Sequence, residues 1–80
     1  MGKWETILRD VLSGERDNGI RFDGLCGLLK RKGFAVRIRG SHHLYQRVGF
    51  APVNLQPAGA MAKPYQVRQV RRVLQDGGER

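Results

Sequence analysis

Eighty residues with a formal net charge of +8 describe a small and strongly basic chain, in which 15 lysines and arginines oppose 7 acids. A chain of this length is expected to form one domain, with a small core that buries only about 60% of its unfolded surface. The single cysteine, Cys26, excludes an intramolecular disulfide, and its apolar surroundings predict a buried, reduced thiol in a cytoplasmic protein. No apolar run reaches membrane-spanning length, so we expect neither a signal peptide nor a membrane segment.

The positive charge is concentrated in the middle of the chain. Residues 24–75 carry ten basic side chains and no acid, whereas the segments on either side are slightly acidic. The ten are Lys30, Arg31, Lys32, Arg37, Arg39, Arg47, Lys63, Arg68, Arg71 and Arg72. Lysines and arginines gathered in this way are typical of proteins that bind the phosphates of nucleic acids. A solvated positive surface without such a partner is the alternative.

Apolar residues repeat with helical spacing in the first third of the chain. They predict one helix over residues 3–13, ended by Gly14, and a second helix from about residue 22 to Gly33. The two apolar stripes are Trp4, Ile7, Leu8, Val11 and Leu12 in the first helix and Phe22, Leu25, Cys26, Leu28 and Leu29 in the second. Gly24 and Gly27 lie inside the second helix and are expected to permit close packing.

From Phe34 onward the apolar residues alternate, which predicts strands. We expect strands over residues 34–39, 42–48 and 51–56, joined by turns at residues 40–41 and 49–50. A last helix is predicted to open at Lys63 and Pro64, because proline is well tolerated at the first helical position. Its buried stripe is predicted to be Val67, Val70, Val73 and Leu74, with Gln66, Gln69 and Arg72 on the other side.

This order of elements predicts an α+β fold. Without the first helix, the order αβββα matches a double-stranded-RNA-binding-domain-like fold, in which two helices cover one face of a three-stranded sheet. We therefore interpret residues 1–80 as a single domain, with an additional N-terminal helix in residues 1–14 and an αβββα core in residues 22–75.

Both histidines of the chain lie in the segment Gly40-Ser41-His42-His43-Leu44-Tyr45. Imidazole titrates near pH 6.5, so a histidine can take a proton from an RNA 2′-hydroxyl or give one to a leaving 5′-oxygen. Nearby cations can stabilise the charge that develops on the phosphorus. The cations available for this are Arg37, Arg39, Arg47 and Lys63. The pattern is compatible with RNA cleavage that needs no metal or other cofactor and leaves a 2′,3′-cyclic phosphate.

The two histidines are expected to point to opposite faces of their strand. In a regular strand, His43 shares a face with Tyr45 and Arg47, which predicts that His43 lies on the wet, basic side. A turn or bulge at residues 40–41 would shift that parity. The alternative is that both are ordinary hydrogen-bonded hairpin residues; as adjacent strand residues they form a poor metal chelate.

Two neighbours of the histidines also invite a functional interpretation. Tyr45 is either a residue that stacks on a base or an ordinary strand aromatic, and the second is preferred. Ser41 is expected to cap the turn rather than act as a nucleophile, because no acid between residues 24 and 75 is available to orient an imidazole.

The histidine motif also carries a family resemblance. Gly40-Ser41-His42-His43-Leu44-Tyr45, after a helix-Gly-Phe-strand segment, resembles the HicA family of toxins from bacterial toxin–antitoxin pairs, over about residues 22–74. The segments Asn54-Leu55-Gln56-Pro57 and Lys63-Pro64-Tyr65-Gln66-Val67-Arg68-Gln69-Val70 are similar to one branch of that family. The resemblance implies an mRNA interferase that cleaves message in the cytoplasm and is silenced by a HicB-type antitoxin.

The resemblance also bears on the individual residues. It implies that the functional histidine is the one directly after Gly-Ser, which is His42, although His43 is kept as a candidate. Many members carry a further histidine after the third strand, where this chain has Asn54-Leu55-Gln56-Pro57. That difference argues against a mechanism with two separated imidazoles. The helix at residues 3–13 also precedes the usual start of the family, which suggests extra core or a partner contact.

We complete the candidate RNA-binding set with the cations and polar residues around the motif. The set is Arg37, Arg39, Ser41, Tyr45, Arg47, Lys63 and Arg68. A second hypothesis uses the same residues without catalysis: a module of similar fold that recognises duplex RNA through phosphates and 2′-hydroxyls, with Lys63 and Arg68 in contact with the backbone. For an antitoxin, the positive charge predicts a partner surface rich in carboxylates.

Overall fold

The computed structural model describes residues 2–77 and contains three helices and one three-stranded sheet. The helices are α1 (Lys3–Ser13), α2 (Phe22–Arg31) and α3 (Pro64–Asp76), and the strands are β1 (Ala35–Arg39), β2 (His42–Gln46) and β3 (Val53–Leu55). The sheet is antiparallel with the order β1-β2-β3. The small α+β fold and the order αβββα after the first helix are thus as predicted. Met1 and residues 78–80 of the predicted domain lie outside the described residues.

The predicted helices agree with the structure almost to the residue, while the strands are shorter than predicted. α1 ends at Gly14, which has a left-handed φ of 75°, and Pro64 occupies the first turn of α3. β2 ends at Gln46 because residues 47–50 form the turn into β3. Arg47 and Val48, which the sequence placed in the strand, therefore belong to that turn.

The core lies between one face of the sheet and the helices. Tyr45, Val53 and Leu55 supply the buried residues of the sheet, and both α2 and α3 contribute leucines and valines to the same cluster. The opposite face of the sheet carries no helix, and its arginines and His42 are exposed. We call these two sides the covered face and the open face.

Helix α1 packs against α2 and α3. The Trp4 ring lies directly over Gly27, where an added Cβ would approach the ring to 2.3 Å, so this helix crossing requires a glycine, as the sequence predicted. Arg71 of α3 holds the C-terminal end of α1 and the loop after it. Its guanidinium donates to the Asp17 carboxylate at 2.9 and 3.2 Å and to the Val11 carbonyl at 3.1 Å. The additional helix is therefore part of the core, since Val11 is fully buried.

Candidate functional site

The Gly40–Ser41 turn delivers the two histidines to opposite faces of the sheet. Gly40 has a φ of 59°, a left-handed conformation that favours glycine and lets the chain reverse between β1 and β2. In the register of the hairpin, His42 lies opposite Arg39. Directly opposite residues share a face, with Cβ atoms about 5 Å apart, so the exposed imidazole of His42 stands beside an exposed guanidinium on the open face.

The open face is basic around His42. Arg37 lies on the same face as Arg39, opposite Leu44, and Leu44 in turn lies opposite Asn54. The remaining strand residues on this face are Ala35 and Gln46. None of these side chains is acidic, so the positive charge on this face is not neutralised within the sheet.

His43 shares a face with Tyr45, as predicted, but that face is the covered one, so the prediction that His43 lies on the wet, basic side is wrong. Its ring meets the edge of Phe22 with centroids 5.7 Å apart and stacks on Tyr45 at 6.4 Å and an interplanar angle of 27°. The prediction took the face that carries Arg47 as the basic one, but β2 ends before Arg47. The basic face is instead the one that carries the two arginines of β1, and the register pairs these arginines with His42 and Leu44.

A chain of hydrogen bonds ties the motif turn to the start of α3. Gln56 Nε2 donates to Ser41 Oγ at 3.1 Å, and Gln66 Nε2 donates to the Gln56 carbonyl at 2.9 Å. The Lys63 backbone N–H then donates to Gln66 Oε1 at 3.0 Å. Ser41 thus binds across the end of the sheet and not within its own turn, and Lys63 is brought to the same end of the molecule as the histidine motif.

Gln66 corrects a second prediction. The sequence placed it on the polar side of the last helix, yet it is only 1% exposed. It precedes Val70 by one helical turn, so it belongs to the buried stripe, and its amide is satisfied at both ends by Gln56 and Lys63. Its spacing of four residues from Val70 is the sequence signal for the buried side, although spacing alone does not supply the partners that let an amide be buried there.

Tyr45 is a core residue. Its side chain is 1% exposed, so its ring has no free face for a base, which favours the interpretation as an ordinary strand aromatic. Burial, followed by a hydrogen bond to Cys26, raises the pKa of the Tyr45 hydroxyl. Burial also raises the pKa of the Cys26 thiol, and the hydrogen bond from Tyr45 offsets part of that rise. We therefore remove Tyr45 from the candidate RNA-binding set.

Arg47 lies at the far end of the hairpin from the motif. Its guanidinium donates to the Lys32 carbonyl at the end of α2 and covers the Phe50 ring at 4.5 Å. These contacts pin the turn between β2 and β3 to the helix layer. The structure does not bring Arg47 together with His42, in contrast to Arg37 and Arg39.

Lys63 and Arg68 are exposed at the start and on the outer side of α3. Neither makes an ion pair with a described residue, as expected from the absence of acids between residues 24 and 75. Among residues 2–77, no three His, Cys, Asp or Glu side chains come together in a group that would hold a metal ion. No helix within the same range is long and apolar enough to cross a membrane.

Comparison with known proteins gives no further assignment: no family model, no curated protein and no solved structure matches this chain.

Proposed function

We propose that this protein is a HicA-like toxin ribonuclease, an mRNA interferase with a double-stranded-RNA-binding-domain-like fold. The proposal is supported by the Gly-Ser-His motif in its hairpin and by the αβββα order of the elements. The observation that carries it is the position of His42: an exposed imidazole directly opposite Arg39, on a sheet face without acids.

This arrangement suits cleavage of an RNA phosphodiester. His42 takes the proton of a 2′-hydroxyl, and the 2′-oxygen forms a bond to phosphorus as the bond from phosphorus to the 5′-oxygen breaks. Arg39 and Arg37 stabilise the negative charge that builds on the phosphoryl oxygens. The leaving 5′-oxygen receives a proton from the imidazolium or from water. The products are a 2′,3′-cyclic phosphate and a 5′-hydroxyl.

One imidazole carries the reaction in this scheme. His43 points into the covered face between Phe22 and Tyr45, so the two rings do not approach one phosphate from the same side. In this scheme His43 contributes to the packing of the sheet and takes no part in the chemistry. Its packing against Phe22 ties β2 to the first turn of α2.

The partner that silences such a toxin is expected to cover the open face. A surface with Arg37, Arg39 and His42 exposed attracts carboxylates, so we propose a HicB-type antitoxin whose acidic side chains meet these residues. An acidic HicB-like reading frame beside the gene, and co-purification of its product with this chain, is the expected result.

The decisive experiment is cleavage of single-stranded RNA in the presence of EDTA by the purified protein. We expect products with 2′,3′-cyclic phosphate ends, and a loss of about 100- to 10,000-fold in rate for His42→Ala. His43→Ala is the matched control, since it removes the same group from the neighbouring position. It is expected to retain cleavage and to lower the free energy of unfolding by about 1 kcal/mol, from the lost ring contacts.

Three results would contradict the proposal. Full growth arrest by both single variants would exclude a histidine mechanism. Cleavage that stops with EDTA and returns with a divalent cation would replace the metal-independent scheme. Salt-sensitive binding of duplex RNA without cleavage would favour the non-catalytic module instead.

A further inference from the structure

The first turn of α3 exposes an aromatic ring that the core does not use. Tyr65 is 60% exposed and makes no ring contact with another aromatic residue among residues 2–77. A single exposed aromatic residue is common and needs no explanation by itself. Its surroundings are what distinguish Tyr65.

Tyr65 is held at the same end of the molecule as the histidine motif. It lies between Pro64, which restricts the backbone at the helix start, and Gln66, whose buried amide bonds to the Gln56 carbonyl at 2.9 Å. Gln56 in turn bonds to Ser41 at 3.1 Å. Two side-chain hydrogen bonds therefore fix the start of α3 relative to the residue that precedes His42.

The side of α3 that carries Tyr65 is cationic. Arg68 and Arg72 follow Tyr65 at i+3 and i+7, so all three lie on one face of the helix, and Lys63 is exposed just before it. No ion pair with a described residue neutralises these cations. Asp76, the one acid on this helix face, is eleven residues further along, about 16 Å from Tyr65 at the rise of an α-helix.

We propose that Tyr65 is a base-stacking residue of the RNA site: its ring binds an unpaired base next to the nucleotide that His42 cleaves, while Lys63 and Arg68 hold the adjoining phosphates. This inference rests on the proposed function and adds to it a residue that binds the single-stranded substrate. An exposed tyrosine ring beside unpaired cations is the combination by which proteins bind single strands, and stacking requires a base that is not already paired.

The test is RNA binding by the non-cleaving His42→Ala protein, with a short fluorescent single-stranded RNA followed by anisotropy. Addition of Tyr65→Ala is expected to raise the Kd about 5- to 150-fold, and Tyr65→Phe, which keeps the ring, to leave it within about twofold. Val48→Ala is the control for removal of an exposed apolar side chain, because Val48 is 98% exposed in the turn at the far end of the sheet. It is expected to bind as tightly as the parent.

Two further readouts separate stacking from charge. Tyr65→Ala is expected to leave the dependence of log Kd on log salt unchanged, whereas Lys63→Ala lowers the slope by about 0.7. RNAs with a single abasic site report the stacked base. At the position of the stacked base, an abasic site is expected to weaken binding by the parent protein but not to weaken further the binding by the Tyr65→Ala protein.

The outcomes distinguish this inference from the proposed function. RNA that is cleaved normally and bound equally well by the Tyr65→Ala protein overturns the base-stacking role and leaves the ribonuclease intact. Tyr65→Ala that retains RNA binding but loses the antitoxin would assign the ring to a protein contact, and also overturns it. Absence of RNA binding by the parent protein overturns both.

Discussion

The covered and open faces of the sheet are built from alternate residues of the same strands, yet they do different things. On the covered face, Tyr45, Val53 and Leu55 are fully buried and hold the sheet to the helices. On the open face, Arg39 and His42 remain in water beside each other. The comparison teaches that the residues that stabilise the fold and those of the proposed site are separable, because alternate residues of a strand point to opposite faces of the sheet.

The two ends of the hairpin differ in a related way. At the motif end, Gln56 and Gln66 fix the turn to the start of α3 by neutral hydrogen bonds. At the far end, Arg47 fixes the other turn through its charge and its contact with Phe50. The cations at the motif end are thus left available, while Arg47 is engaged in structure.

The largest expected effect is a difference in unfolding free energy between substitutions of Tyr45 and Leu44, which are adjacent in β2 and lie on opposite faces. Tyr45→Ala removes a fully buried ring and is expected to cost about 3–5 kcal/mol of unfolding free energy, whereas Leu44→Ala on the open face costs roughly 1 kcal/mol or less. Urea unfolding measures both. Because the first loss approaches the total stability of a small domain, Tyr45→Phe, expected to cost about 1 kcal/mol, is the milder variant. Equal losses for the two alanine variants would contradict the separation of the faces.

The ion pair that holds α1 tests whether stability can change without an effect on the site. The Asp17 and Arg71 side chains are 16% and 19% exposed, so Asp17→Asn leaves a largely buried cation without its anion and is expected to cost about 2 kcal/mol. RNA cleavage below the melting temperature is expected to be unchanged.

Asp23→Asn is the matched control for that pair. The hydrogen bond from Arg21 holds the pKa of Asp23 below its usual value, but both side chains of this pair lie in water. Loss of the Arg21–Asp23 ion pair is therefore expected to leave the midpoint of the unfolding curve unchanged. A loss as large as that of Asp17→Asn would show that burial does not decide the strength of these pairs.

Two arginines at opposite ends of the hairpin give a smaller contrast. Arg39→Ala is expected to reduce RNA cleavage about tenfold, with a stronger effect at low salt and an unchanged melting temperature. Arg47→Ala is expected to retain cleavage and to lose about 1 kcal/mol of stability, from its contacts with Phe50 and the Lys32 carbonyl. An interchange of these two phenotypes would place the RNA site at the far end.

The smallest expected effect concerns Cys26 of α2, which packs against the core beneath the covered face. Its raised pKa means that less thiolate is present at pH 8 than in the unfolded chain, so a thiol reagent is expected to label the native protein more slowly than the protein in urea. Raising the pH through the thiol pKa is expected to narrow the difference in labelling rate between the native and the unfolded protein. Equally fast labelling in both states would show that Cys26 is not shielded.

The helices could be predicted from the sequence because their signals are local. The apolar stripes, Gly14 as a helix end and Pro64 as a helix start act within a few residues, and the structure agrees with them. The strand faces were harder to predict. Parity within β2 separates His42 from His43, but the side that becomes basic depends on the partner residues of β1 and on which face the helices cover.

The role of Gln66 could not be obtained from periodicity alone. Its helical position belongs to the buried stripe, and its burial is tolerated because Gln56 and Lys63 satisfy the amide. The Lys63 partner is one helical turn away, but the Gln56 partner lies ten residues earlier in the chain, beyond the loop that precedes α3. The same holds for Arg71, whose partner Asp17 precedes it by 54 residues.

The sequence by itself determined the elements, their order and the concentration of positive charge around the histidine motif, because apolar period, glycine, proline and charge are properties of short segments. Only the tertiary structure decided that His42 faces water beside Arg39 and that His43 is held between Phe22 and Tyr45. It also decided that the start of α3 lies at the motif end of the sheet. The physical reason is that strand register and helix packing join residues far apart in the chain, and the face on which a side chain lies follows from those contacts.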